Sequence, residues 1–359
     1  MQNNQATAMK VYFEVTNFCN FGCDFCPSDG SRRKAQHMDF SLFAKGIDDI
    51  VRDRVTDTVG FHVLGEPLLY PRLFDALRYA KSKGLRTEIN TNGSLLAEER
   101  VGRLVEAGLD TLSISAQIID EKDHACRGSS LPFERYYRGI LEAVRLVQES
   151  GSETKVVLCA MDTSTRRYFD IDRPMRMNGN RAAFKQKLSR LILDTYSALG
   201  QPVPREEVAA ALGRLSLNQP RYIRIDDHIA VYAQPFADWG NAFTARKVHP
   251  AKVGFCGYAL TNVGVLSDGK VTICCADYDG KTALGNLATS SLAALLASKE
   301  AQAIRTGFQK MKIVHPYCQR CVGSPNRVKA LFKGLASIYL FKLIEFQPAR
   351  VKEVALVGA

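Results

Sequence analysis

Val11-Tyr-Phe-Glu-Val15-Thr-Asn-Phe-Cys19-Asn-Phe-Gly-Cys23-Asp-Phe-Cys26-Pro27 sets a short apolar run against three cysteines. The run is rich in β-branched and aromatic residues and reads as a strand. Pro27, Ser28, Asp29 and Gly30 read as the loop beyond it. The cysteines follow the spacing C-x3-C-x2-C, so a loop folded back on itself points three thiolates at one place. A closed zinc site or a fully protein-ligated iron–sulfur cluster takes four ligands. Three leave one metal corner open for an external ligand. A structural zinc loop and cysteines without a common role are the alternatives at this point.

Working outward, 359 residues suffice for one large α/β domain and a smaller one. Apolar residues make up 46% and charged residues 24%, which excludes a disordered or fibrous chain. Residues 1–9 are polar and read as a disordered N-terminus. There is no signal peptide and no apolar run long enough to span a bilayer. Ten cysteines without a secretory signal argue for metal or redox use in the cytoplasm rather than for a disulfide framework. The net charge of +11 suits an anionic partner, but no nucleic-acid signature accompanies it and a basic soluble surface explains it more simply.

Beyond the cysteine loop, helix-like and strand-like stretches alternate. Ser41–Val51 has helical spacing, Thr58–Leu64 reads as a strand, and Arg72–Lys83 is a helix closed by Gly84. Strands follow at 86–90, 111–115 and 155–160, with helices at 95–107 and 133–149 between them. This is the pattern of parallel βαβ units. Periodicity alone leaves an open doubly wound sheet and a barrel both standing.

Glu14-Val-Thr16-Asn-Phe-Cys19-Asn20-Phe-Gly-Cys23-Asp-Phe25-Cys26-Pro27 resembles the cluster loop of the radical S-adenosylmethionine (radical SAM) enzymes. The resemblance implies a partial (β/α)6 barrel of the TIM type, open on one side for substrate. It implies a [4Fe-4S] cluster on Cys19, Cys23 and Cys26, with SAM on the fourth iron. Gly65-Glu66 resembles the motif that binds the methionine amine, and Phe25 stands where the family packs a side chain on the adenine. Ser113 or Ser115 would meet the ribose or carboxylate, with Asn92 as a lesser contact. Arg127 would reach the SAM carboxylate or be structural. His62 reads as a core histidine. Residues 162–220 depart from a minimal barrel and read as an inserted or elaborated segment, whose arginines clamp an anion or face solvent.

A second cysteine set lies downstream. Cys256 is followed by two strand-like runs around Ser267-Asp268-Gly269, a hairpin signal, and the second run ends in Cys274-Cys275. Cys318-Gln-Arg-Cys321 closes the set. Cys256, Cys274, Cys318 and Cys321 supply four ligands, enough for a zinc ion or a complete cluster, with Cys275 as the alternative to Cys274. This arrangement is similar to the auxiliary-cluster domain of SPASM and twitch radical SAM enzymes. The expected division is a barrel over 10–245, an auxiliary domain over 246–325 and a helical tail over 326–359. Cys126 and Cys159 read as buried small residues.

The resemblances imply an oxidoreductase-type enzyme that cleaves SAM reductively to a 5′-deoxyadenosyl radical. That radical abstracts a hydrogen from a small polar metabolite such as a sugar, cyclitol or nucleoside. The auxiliary iron–sulfur cluster, expected to be [4Fe-4S], then accepts an electron, and a flavodoxin or ferredoxin serves as reductant. The competing substrate class is a ribosomally made peptide or protein. A third reading is a zinc-binding interaction protein without SAM chemistry. Asp226, Asp227, His228 and Asp238 stand as possible bases near a strand end.

Overall fold

The computed structural model describes residues 9–117, 119–177, 179–215, 221–345 and 353–355. The N-terminal residues 1–8 and most of the tail beyond 345 therefore lie outside the described residues.

Among the described residues eleven strands form one sheet. They are β1 (Lys10–Phe13), β2 (Thr58–Phe61), β3 (Arg86–Thr91), β4 (Thr111–Gln117), β5 (Lys155–Asp162), β6 (Arg221–Arg224), β7 (Ile229–Pro235), β8 (Asn262–Val265), β9 (Lys270–Thr272), β10 (Ala283–Asn286) and β11 (Glu353–Ala355). Their order is β10-β9-β8-β1-β2-β3-β4-β5-β7-β6-β11. The six strands β1, β2, β3, β4, β5 and β7 pair in parallel, and this is the partial (β/α)6 barrel. Helices Phe40–Asp53, Leu73–Ser82, Glu98–Glu106, Phe133–Glu149 and Arg181–Ala198 connect the strands.

The alternation along each strand decides which face meets the helices. On β4, Leu112, Ile114 and Ala116 are buried beneath helices, while Ser113, Ser115 and Gln117 face the barrel interior. β3 contributes Glu88 and Asn90 to the same interior, and Asn90 pairs with Ser113 in register. Tyr12 on β1 lies between Gly60 and Gly264 of the flanking strands. A Cβ at Gly60 would stand 2.5 Å from the Tyr12 ring, so only glycine leaves room for it.

Residues 162–220 contain the crossover from β5 toward the sixth parallel strand. Helix Arg181–Ala198 buries Phe184, Leu188, Leu191 and Ile192, and helix Arg205–Arg214 packs beside it. β6 then runs antiparallel to β7. Asp226, Asp227 and His228 form the turn between those strands, at the start of β7. That is the end opposite the barrel mouth, because parallel strands open their mouth at their C-terminal ends.

The β8–β9–β10 meander is continuous with the barrel, since β8 pairs in parallel with β1 from Lys10↔Asn262 to Phe13↔Val265. Behind it lies a second core of Ala259, Ile273, Ile304, Phe308 and Ile313, with Cys256, Cys274 and Cys318 packed into it. Helix Arg327–Ser337 docks on that region rather than on the barrel wall. Its Gly334 lies so close that a Cβ there would be 2.2 Å from the Val253 carbonyl oxygen.

Candidate active site

The first cysteine loop leaves β1 and is pinned from beneath by backbone. Gly22 donates to the Arg127 carbonyl at 3.2 Å and Asp24 to the Cys126 carbonyl at 2.7 Å. Gly128 takes the left-handed conformation there, with φ 57°, and a Cβ on it would stand 2.3 Å from the Gly22 oxygen. Gly65, at φ 81°, has a comparable reason to be glycine. A Cβ on it would stand 2.3 Å from the Thr16 oxygen, where the loop crosses over it. The close approach at Gly65 is therefore to the cysteine loop itself.

Cys19, Cys23 and Cys26 are drawn near enough to feel one another's charge. Burial raises all three thiols, Cys23 to about 11, with the Arg127 guanidinium opposing it there. A bound metal reverses that balance by stabilising thiolate. Asn92 points its amide at Cys19 Sγ at 3.8 Å and at Asn20 Oδ1 at 2.9 Å. Glu66 is buried beside them. Its carboxylate accepts from Leu68 N at 3.1 Å, Thr91 Oγ1 at 2.6 Å and Asn92 N at 2.6 Å. Burial raises its pKa against these bonds. A carboxylate offers about four acceptor positions, so one remains for an ammonium.

Arg127 is fully buried and, among the described residues, bonds no carboxylate. Its Nη2 reaches Tyr136 Oη at 3.2 Å, its Nε has no partner, and its guanidinium lies over the rings of Phe21 and Phe25. A buried cation left so open suits an anionic ligand. Ser113 and Ser115 lie on the interior face of β4. The strand runs on to Gln117, so Ser113 sits mid-strand, and Ser115 is bonded to Asn90 Oδ1 at 2.7 Å. The strand end belongs to Gln117, at φ 45°, whose buried Oε1 lacks a partner. No sequence signal marks it.

Two of the arginines in the crossover clamp neither a phosphate nor a carboxylate ligand. Arg173 donates to the Cys26 carbonyl at 3.0 Å and pairs with Asp29, and Arg176 grips Asp24 at 2.8 Å. They hold the cysteine loop down from above. Around Phe25 they help close an apolar cluster of Met161, Met175, Met177, Phe236 and Phe243.

Cys256, Cys274, Cys318 and Cys321 also gather in one place. Burial and mutual repulsion raise Cys256 to about 12, and Cys318 and Cys321 sense the same neighbours. Cys274 packs inside this group with the Cys275 side chain against it, and Cys275 also lies near Tyr12 of the barrel, so both cysteines stand beside the group. Among the described residues no three Cys, His, Asp or Glu side chains close on a single metal ion. By donor chemistry four thiolates suit either a zinc ion or a complete iron–sulfur cluster.

The stretch after β7 joins the two cysteine sites. Trp239 Nε1 donates to the Phe25 carbonyl at 3.1 Å, next to Cys26. Gly240 is so close to Cys321 that a Cβ would stand 2.8 Å from its Sγ. Asn241 Nδ2 donates to the carbonyls of Arg320 at 2.7 Å, Cys321 at 3.1 Å and Gly323 at 3.0 Å. Trp239, Gly240 and Asn241 all have positive φ, a strained run held by these contacts. Asp238 precedes them, buried, its Oδ2 unbonded and 3.8 Å from Lys333 Nζ, which is also without a hydrogen bond. Burial raises the Asp238 carboxyl and Lys333 pulls it back.

Family comparison matches residues 13–171 to the radical SAM superfamily and residues 256–322 to the SPASM iron–sulfur cluster-binding domain. The tungsten-containing aldehyde ferredoxin oxidoreductase cofactor-modifying protein of Pyrococcus furiosus is 33% identical over 109 residues, 30% of this chain and 31% of that protein. The S-adenosyl-L-methionine-dependent 2-deoxy-scyllo-inosamine dehydrogenase of Niallia circulans is 31% identical over 108 residues, 29% of this chain and 43% of that protein. The chain thus spans less than half the length of these curated relatives. The crystal structure of BtrN in complex with AdoMet and 2-DOIA superposes with a TM-score of 0.50 at 16% identity, covering 85% of this chain and 88% of that one. That likeness concerns the fold.

Proposed function

The chain is a radical SAM superfamily member carrying a SPASM domain, and from that premise we propose that it removes hydrogen from a small polar metabolite and oxidises it. When bound, the [4Fe-4S] cluster with SAM supplies a 5′-deoxyadenosyl radical, and the auxiliary iron–sulfur group supplies an electron acceptor. Cys19, Cys23 and Cys26 hold the first group, and Cys256, Cys274, Cys318 and Cys321 the second. Glu66 offers its remaining lone pair to the SAM ammonium, and Arg127 its open guanidinium to the carboxylate. Phe25 faces the adenine, with Gly65, Asn92, Ser113 and Ser115 shaping the remainder. A flavodoxin or ferredoxin is the reductant this reading calls for.

The observation that carries the reading is the Phe25–Trp239–Gly240–Cys321 chain of contacts, which sets both cysteine sites against one barrel mouth. Oxidation after hydrogen removal also releases a proton. Asp238 has a free buried oxygen beside the same segment and is the base we assign. Gln117, with its unbonded buried Oε1 at the end of β4, supports a hydroxyl-bearing substrate. A second reading, modification of a ribosomally made peptide, is favoured by the Met–aromatic cluster around Phe25, which suits an apolar side chain.

Hydrogen transfer tests the proposal. Reconstituted protein is incubated with SAM, dithionite and perdeuterated cyclitols, amino sugars or nucleosides, and 5′-deoxyadenosine is read by mass spectrometry. Deuterium in 5′-deoxyadenosine, with a substrate product two hydrogens lighter, is the expected result. Deuterium transfer only from labelled peptides selects the second reading, and failure to cleave SAM refutes both.

A further inference from the structure

Helix Arg327–Ser337 is built inside out. The face against the protein carries Ala330, Gly334 and Ser337, which let it approach the Val253–Phe255 backbone, and Ser337 Oγ accepts from Phe255 N at 2.9 Å. The opposite face carries Val328, Leu331, Phe332 and Leu335, and Tyr339 follows one turn on. Positions i, i+3, i+4, i+7 and i+11 make one continuous stripe. Val328 is 63% and Phe332 65% exposed, where a surface helix would ordinarily turn such side chains inward. Val253, Met311 and Val314 extend the apolar surface beside the helix and are exposed as well. They belong to the same face, because Gly254 N donates to the Met311 carbonyl and Val253 bridges Lys312.

Charge is concentrated on the same segments. Residues 239–267 and 301–344 hold eleven Lys and Arg and no Asp or Glu. The whole chain has 48 basic and 37 acidic residues, so everything outside these two segments balances at 37 of each. Of these eleven, Arg246, Lys329 and Lys333 face Asp172, Asp170 and Asp238, and Arg320 turns inward to the Gly240 carbonyl, so only part of that charge is left for this face. Exposed Lys252, Lys310, Lys312 and Arg327 frame the apolar stripe and pair with no acid among the described residues.

From this juxtaposition we propose that the face made by Val253, residues 310–314 and helix 327–339 docks on an anionic lipid bilayer. An apolar stripe framed by lysines is what an interfacial helix presents to headgroups and acyl chains. A second copy of the chain is disfavoured, because two such faces would bring like charge together. Nucleic acid would leave the Leu–Phe stripe without a partner. No helix among the described residues is long and apolar enough to cross a membrane, so contact is with one leaflet. The same helix carries Lys333 inward to Asp238, so the lipid-facing surface and the barrel mouth share one element.

The test is sedimentation of the full chain with vesicles of phosphatidylcholine alone and of phosphatidylcholine with about a third phosphatidylglycerol, at low and high salt. Leu331→Ser/Phe332→Ser is the stripe variant; both side chains are exposed, and melting temperature confirms its fold. Binding to the anionic vesicles is expected, weakened by salt and about tenfold or more weaker in the variant. Absence of binding, or equal binding by parent and variant, overturns the proposal. So does a homodimer in light scattering that the same substitutions dissociate, which would make the occupant a second copy.

Discussion

Replacing Arg33 by alanine is expected to cost more stability than any other single ion-pair deletion outside the cysteine sites. Glu14 is buried in the first strand's continuation, and Arg33 grips both its oxygens at 2.6 Å. Ser267 donates to the same carboxylate from N at 3.2 Å and Oγ at 2.9 Å, and Leu64 N from 3.3 Å. Arg33 also donates to the Tyr278 carbonyl at 2.7 Å. One pair thus ties the cysteine loop, the barrel and the hairpin of the second cysteine region. Removing one partner of a buried pair costs about 3–5 kcal/mol, because the other charge is left without compensation. Three neutral donors remain on Glu14, which places the cost near 3 kcal/mol. A chain of this size unfolds with an entropy of roughly 0.75 kcal/mol/K, so the melting temperature should fall by about 4 °C. Anaerobic scanning calorimetry at one scan rate reads the shift. Glu14→Leu/Arg33→Met removes both charges and should recover most of it. An Arg33→Ala protein melting within about 1 °C of the parent, or a double variant falling as far as the single, would refute the reasoning.

Gly128→Ala drives a Cβ into the Gly22 carbonyl at a left-handed position, so iron bound per chain should fall by about four while the second site stays loaded. Asp238→Asn should slow product formation about 10²-fold or more while 5′-deoxyadenosine still forms. In the parent, product formation should rise with pH through an apparent pKa above the ordinary carboxylate range, because burial raises Asp238 and a base must be ionised. His62 is pushed down to about 4 by burial and stays neutral in the fold. The unfolded chain takes up that proton from about pH 6.5, so stability is full above 6.5 and is lost as pH falls toward 4, by at most about 3 kcal/mol. His62→Phe should flatten that stretch of a melting-temperature profile against pH.

What the sequence made legible is what local spacing encodes. C-x3-C-x2-C, the Asp268-Gly269 turn and the alternation of period 2 with period 3.6 each involve residues within a few positions of one another. The parallel βαβ units and the two cysteine groups follow from those, whereas the barrel rather than an open sheet follows only from the resemblance of the cysteine loop to the radical SAM enzymes. The contacts that assemble the mouth do not. Trp239 meets Phe25 across 214 positions, and Arg173 meets Cys26 across 147. Nothing in a polar, arginine-rich stretch reveals that two of its guanidinium groups fold onto the cysteine loop. In sequence Asp226, Asp227, His228 and Asp238 are equal choices for a base, and only the fold separates them, because the β6–β7 turn carries the first three to the far end of the barrel. Sequence alone ends β4 at Ser115, two residues short of its observed end, because Ala116 and Gln117 carry no strand signal of their own, and the terminal position belongs to Gln117.

The most direct measurement is iron and sulfide content, with Mössbauer spectra, of anaerobically reconstituted parent and of a Cys19→Ala/Cys23→Ala/Cys26→Ala variant. Two four-iron groups predict about eight irons in the parent and about four in the variant, the latter held by Cys256, Cys274, Cys318 and Cys321. A variant with no iron, or with one zinc in place of it, would contradict the account, because the mouth would then have no second redox centre to receive an electron.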